Sequence, residues 1–306
     1  MAIRLSPRRS ACIRVIRVLF AAPVTDVVRA RMFRPFKKLV LLSFLFHLTL
    51  HASEAAGQDS QSPYTERVRK EFKFYPGGKI QITSGLPGNL KVVGWQRASA
   101  VLEAEKVFYH MTPADAKQLS KQISIQVRYT QIAATIRTSG PQQQANVEMN
   151  TTVYVPKDKT DLKIGLDHGD FSIDSVNGWV EATLREGSIE VKSVSGYFSL
   201  LTQQGDLDVQ LSGRHWDGLG LTAVTHRGTV SLRLPLEYSA ALQLETRNGN
   251  FTLDYPEQLV DGESVPLAVV TDKDVRSLTA TVGQGGAPIR IHTGAGDIQL
   301  TGARAP

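Results

Sequence analysis

The sequence holds one cysteine, Cys12, among 306 residues. That excludes an intramolecular disulfide, a cysteine-based zinc site and an iron–sulfur cluster. It also lacks a Gly-x-Ser-x-Gly elbow, a Gly-x-x-x-x-Gly-Lys-Ser/Thr loop and a His-Glu-x-x-His pair. The hydrolase, nucleotide-binding and zinc-peptidase signatures are thus missing, and neither a catalytic residue nor a cofactor is assigned.

An excess of basic charge is missing outside the first 57 residues. That segment holds ten Lys/Arg against Asp26 and Glu54, which leaves 25 basic and 27 acidic residues for the rest of the chain. A nucleic-acid partner normally needs a basic face on the folded domain, so none is expected. Residues 39–50 (LVLLSFLFHLTL) form an apolar run of twelve, short of the ~20 residues of a membrane-spanning helix. Read from Met32, the chain has a positive segment (Arg34, Lys37, Lys38), this run, and then small residues (Ser53, Ala55, Gly57). This is the build of a secretory signal, so residues 1–57 are expected to be a leader, either an overlong one or one whose true start is Met32. The alternative is an uncleaved anchor, which would be the protein's membrane contact. Residues 58–69 then read as a flexible mature start. The expected location is extracytoplasmic: periplasm, cell surface or secreted.

What is abundant is glycine, and its spacing carries the architecture. Gly169, Gly178, Gly187, Gly196 and Gly205 lie nine residues apart, four intervals in succession. Each precedes a period-two apolar pair: Phe171/Ile173, Val180/Ala182, Ile189/Val191, Phe198/Leu200 and Leu207/Val209. Such alternation marks a strand with one buried face. The phrase returns after Gly228, Gly249 and Gly296, with Thr202, Thr225, Thr246 and Thr293 three residues before a glycine. Glycine at a fixed turn position suits a positive φ. A nine-residue strand and turn buries too little by itself to offset its ordering entropy, so the units must stack. Two nines per coil would align Phe171, Ile189 and Leu207 in one column and Ile173, Val191 and Val209 in another, with Val176 above Val194 and Asp174 beside Lys192. The fold expected is therefore all-β: a β-solenoid-like stack of strand-turn-strand repeats over 159–302. The competing architecture is an antiparallel meander folded into a sandwich.

The GDFSIDSVNG and GDLDV runs and the closing TGAGDIQL resemble the bacterial putative-adhesin domain family, Gly-punctuated β-repeat proteins of unknown function. The resemblance spans roughly 70–302. It implies an extracytoplasmic, repeat-built all-β protein and brings no catalytic or binding residues with it.

Residues 70–158 read as an N-terminal β lobe that caps the stack, with strands over 72–74, 79–82, 89–93, 101–107, 123–129, 133–137 and 150–155. Thr112-Pro113-Ala114-Asp115 signals one short helix over about 113–122, with threonine as N-cap, proline at the first position and an acid in the first turn. Residues 256–288 are expected to leave the stack before its last strand pair.

His110, His168, His215, His226 and His292 stand at no ligand-like spacing, so no metal site is expected. Asp167, Asp170, Asp206 and Asp208 read as solvated turn acids. One glycine per unit falls short of the calcium nonapeptide. One constellation points to a ligand. If Val180, Ala182 and Leu184 face inward, then Trp179 and, eighteen residues on, Tyr197 face outward, and Trp216 lies near the next register. This aromatic ladder would stack on sugar faces, making a carbohydrate or cell-surface component the expected partner. Alternatively, the rings pack beneath the lobe or the 256–288 excursion. The function expected is a non-catalytic, adhesin-like binding or structural surface. Its rivals are a polysaccharide-active enzyme using Asp170, Asp206 and Asp208, and a self-assembling envelope scaffold.

Overall fold

Period-two burial runs through nearly every element of the computed structural model, which describes residues 62–141, 146–256, 258–260 and 263–303. The expected leader and residues 58–61 lie outside the described residues. The N-terminal part contains β1 (Tyr64–Lys73), β2 (Lys79–Ser84), β3 (Leu90–Trp95), β4 (Ser99–Phe108), α1 (Pro113–Ser120), β5 (Ser124–Tyr129), β6 (Ala133–Ser139) and β7 (Val147–Pro156). The repeats follow as β8 (Asp161–His168), β9 (Phe171–Asp174), β10 (Asn177–Glu186), β11 (Ile189–Lys192), β12 (Ser195–Gln204), β13 (Leu207–Gln210), β14 (Gly220–Arg227) and β15 (Val230–Pro235). The chain ends with β16 (Ala240–Asn248), β17 (Phe251–Asp254), β18 (Gln258–Val260), β19 (Glu263–Val265), β20 (Val270–Asp272), β21 (Val275–Val282), β22 (Pro288–Ala295) and β23 (Ile298–Ala303).

All but β18 and β19, which pair with each other alone, build two large mixed sheets. Sheet I runs β1-β4-β7-β3-β9-β11-β13-β15-β23-β17, and sheet II runs β20-β21-β16-β22-β14-β12-β10-β8-β2-β6-β5. From β8 to β15 successive strands alternate between the sheets, and neighbours within a sheet are parallel. A hairpin meander would make them antiparallel, so that alternative fails here. Ile189 stands beside Phe171 and Leu207, 18 residues away on either side, and Val191 stands beside Ile173 and Val209. All six are at most 1% exposed and belong to one core cluster with the inward residues of sheet II. Each fully buried aliphatic side chain contributes about 1.5–3 kcal/mol relative to exposure. Asp174 does lie beside Lys192, yet Lys192 pairs instead with Glu190 at 2.5 Å, which raises the lysine pKa.

The glycines serve two kinds of turn. Gly187 leads from sheet II to sheet I with φ +144, and a Cβ there would stand 2.0 Å from the Gly169 carbonyl oxygen one rung away. Gly178, in the opposite turn, lies outside the positive-φ region, and so does Gly249; the conformational argument from sequence does not hold for either. Close approach is what demands glycine at 178, since a Cβ would meet Thr160 O at 2.1 Å. Positive φ on that side falls on Ser175 and Ser193 and on Gly196, the counterpart of Gly178 in the next repeat. The recurrent threonines lock the first kind of turn. Thr202, Thr225, Thr293 and Thr246 are fully buried, and their hydroxyls donate to the carbonyls of Gly187, Gly205, Gly228 and Gly296 at 2.8–2.9 Å.

Three further expectations are corrected. Residues 58–69 are not flexible throughout, because β1 starts at Tyr64 and pairs with β4 over ten residues. Its alternation is masked by charge: Glu66, Val68, Lys70 and Phe72 face inward between the exposed Arg67, Arg69 and Glu71. The 256–288 segment does not all leave the sheets, since β21 pairs antiparallel with β16 and extends sheet II. The last strand pair, β22/β23, does not end the two sheets either. It inserts between β14/β15 and β16/β17.

The N-terminal end is closed by antiparallel strands and by α1. The Thr112 hydroxyl caps the helix by accepting from the Asp115 amide, and Ala116 and Leu119 cover a small cluster with Phe108, Leu86 and Met149. Lys106, 6% exposed, donates to the Ser120 carbonyl at the helix end, to Ser120 Oγ at 2.9 Å and to Glu66. The Ser120 hydroxyl donates to Glu66 at 2.5 Å and, with Lys106, lowers the Glu66 pKa. A depressed carboxylate pKa stabilises the fold above the unfolded value of about 4.5, and that stability is lost as pH falls through the folded value. Glu66→Gln should therefore lower the melting temperature at pH 7, and the gap to wild type should close in acid. The effect is roughly a few tenths of a kcal/mol, since the carboxylate is partly exposed. A gap unchanged from pH 7 to pH 3 would contradict this linkage.

Candidate functional site

The outward residues of β10 and β12 place Trp179 directly beside Tyr197. The ring centroids are 4.0 Å apart with planes inclined by 34°; Trp179 is 44% exposed and Tyr197 half-buried. These rings are not covered by the lobe or the excursion. Polar neighbours orient the pair. The indole Nε1 donates to Glu181 at 3.0 Å, the Trp179 amide donates to Asp161, and Lys163 faces Glu181 at 3.8 Å. Leu219, 67% exposed, follows along the same edge, its amide donating to Gly196 O. The result is an apolar step with charged groups alongside.

Trp216 is not part of it. It is 4% exposed, stands edge-on to Phe198 with centroids 5.8 Å apart, and donates from Nε1 to Gly196 O. The next rung is offset by 23 residues, Leu200 standing beside Ala223, so the 18-residue extrapolation fails. The extra residues form a loop that folds the indole inward.

The turn acids are structural ties. Asp170 Oδ1 accepts the Ser188 amide at 2.8 Å, and Asp206 Oδ1 accepts the Thr229 amide at 2.7 Å. Asn89 and Asn150 act alike in earlier rungs, and Asp297 does so near the last. Asp208 lies beside Arg233, both oxygens within 2.5 Å of its guanidinium. Asp170, Asp206 and Asp208 nevertheless line one groove of about 460 Å³ on sheet I, together with Lys91 and Glu190. Among the described residues no three His, Cys, Asp or Glu side chains come together to hold a metal ion. His168 pairs with Glu186 and His292 with Glu245, each with its neighbour along sheet II.

A second aromatic site escaped the sequence reading. Trp95 stacks on Tyr154 with centroids 5.3 Å apart, and Arg97 lies over the Trp95 ring at 4.9 Å. The partners are 59 positions apart and meet only because β3 pairs with β7. No local pattern announces that contact.

Fold and surface together define an all-β protein of two mixed sheets that presents an exposed aromatic pair. No protein-family model matches the chain, and no curated protein does. Among solved structures it is similar to a putative cell adhesion protein from Clostridium sporogenes ATCC 15579, with 10% identity, a TM-score of 0.41, and coverage of 78% of this chain and 100% of that one. It is also similar to a putative adhesin from Bacteroides fragilis NCTC 9343 (12% identity, TM-score 0.27, 78% and 99% covered). Another is a putative adhesin from Parabacteroides distasonis ATCC 8503 (7% identity, TM-score 0.29, 78% and 98% covered). These descriptions name the adhesin class that the glycine phrases resemble.

Proposed function

We propose that this protein is an exported, non-catalytic β-solenoid whose outer surface binds carbohydrate at the cell surface or in the envelope. The observation that carries the binding reading is the Trp179–Tyr197 stack, exposed and flanked by Glu181, Lys163 and Asp161. Aromatic faces take up the C–H faces of pyranoses, and the flanking polar groups supply partners for sugar hydroxyls. The 18-residue shift shared by the parallel pairs from β8 to β13 supports the solenoid reading. The three-part leader supports export, with maturation near residue 57. Trp179→Ala and Tyr197→Ala should each weaken binding on a glycan array by roughly tenfold or more while leaving the melting curve in place. Unchanged binding in the double variant would overturn the reading. Cell fractionation with N-terminal sequencing tests export, and a full-length cytosolic protein would refute it.

The sheet I groove favours a second reading, a polysaccharide-active enzyme. Against it stand the backbone duties of Asp170 and Asp206 and the Arg233 clamp on Asp208. Reducing ends released from polysaccharide by wild type and not by Asp208→Asn would support it.

A further inference from the structure

We infer that the Trp179–Tyr197 site is the first subsite of an extended cleft that takes a linear, equatorially linked glycan lying across the strands of sheet II. This rests on the carbohydrate reading above and adds the shape and length of the ligand. Two register rows carry the argument. In the first, Trp179 stands beside Tyr197, Tyr197 beside Gly220, and Pro288 beside Ala241. Gly220 meets Pro288 closely enough that a Cβ would come 2.4 Å from its carbonyl oxygen, so the two halves of the row join. After two aromatic rings the row passes through the buried Gly220 to the half-buried Pro288 and Ala241. In the second row, Glu181, Ser199, Thr222, Arg290 and Gln243 are consecutive neighbours. Every member is polar, and Arg290 Nε donates to Gln243 Oε1 at 3.0 Å, which orients the guanidinium. Beyond Ser199 the surface deepens into a groove of about 390 Å³ that includes Thr222, Arg290, Gln243 and His292.

An aromatic pair beside a polar row that runs on into a polar groove is complementary to a chain with apolar faces and hydroxylated edges. A β-linked pyranose polymer with equatorial hydroxyls has that form. An apolar peptide would leave the wall unpaired, and a polyanion would meet Glu181 and Glu245 as well as Arg290. From β10 to β16 the rows cross four strand intervals, about 19 Å at ordinary strand spacing. That accommodates several sugar units, so affinity should grow with oligomer length beyond the unit on Trp179.

The test is calorimetric titration of the whole protein with cello-oligosaccharides and chito-oligosaccharides of two to six units. Affinity should rise with length, and Arg290→Ala combined with Gln243→Ala should weaken the hexamer about tenfold while leaving the dimer unchanged. Trp179→Ala should weaken every length. Both polar residues are exposed, so the double variant should keep its melting temperature. If Trp179→Ala abolishes binding but length and the double variant have no effect, the carbohydrate reading stands and the extended cleft is overturned. If no oligomer binds wild type, both fall.

Discussion

Valine in place of Gly187 is expected to leave little folded protein. The new Cβ would stand 2.0 Å from the Gly169 carbonyl oxygen and 2.6 Å from its carbon, both backbone atoms of a neighbouring rung. The φ of +144 is also one that a β-branched residue rarely adopts. Relief would require separating two rungs, which breaks the ladders between β9 and β11 and between β8 and β10. Expression of soluble protein and its circular dichroism would show the loss, and a normal melting transition for Gly187→Val would contradict the close-approach argument. The threonine lock gives a graded companion. Thr202→Val keeps the shape but removes the hydroxyl that donates to the Gly187 carbonyl at 2.9 Å. Losing a hydrogen bond of this part-buried kind costs about 0.5–1.5 kcal/mol. Thr202→Ser should recover most of that, whereas equal losses in both variants would point to packing and not to the hydrogen bond.

Ending the chain after Ala287 should be almost as damaging, although it removes only the last strand pair. The pair is interior: β22 lies between β14 and β16, and β23 between β15 and β17. Ile289, Ile291, Ile298 and Leu300 are each at most 2% exposed and join the rungs on either side. Without them β16 and β17 lose their parallel neighbours, and the open faces of β14 and β15 expose Leu221, Ala223, Val230 and Leu232. Unsatisfied edges of this kind favour aggregation. The truncated protein should show protease cleavage throughout 240–287 and no cooperative unfolding of that region. A truncated chain with a wild-type melting temperature would mean that the rungs are energetically independent.

Much of this was legible in the sequence because it is local. The Thr112 cap and Pro113 mark the start of α1, and the alternation after each glycine places strands and their inward residues, since a strand's side chains change face every residue whatever surrounds them. Constant 18-residue spacing also aligned Phe171, Ile189 and Leu207. The threonines were visible as a recurrence, but their bond to a glycine carbonyl one rung away was not. Reading failed where insertions or distance intervened. Trp216 turned inward because its rung is five residues longer. β1 hid its inward face among charges, and Trp95 and Tyr154 meet only through pairing between distant strands.

The linear order of residues determined the all-β character, the repeating turn and the composition of the core columns, because period and turn chemistry act over a few neighbouring positions. Only the tertiary structure decided that the final pair lies between β14/β15 and β16/β17, and that an aromatic pair remains in solvent beside a polar groove. Those features depend on which strand edges find each other and on the length of chain looping between them, and contacts between remote segments leave no periodic mark along the chain.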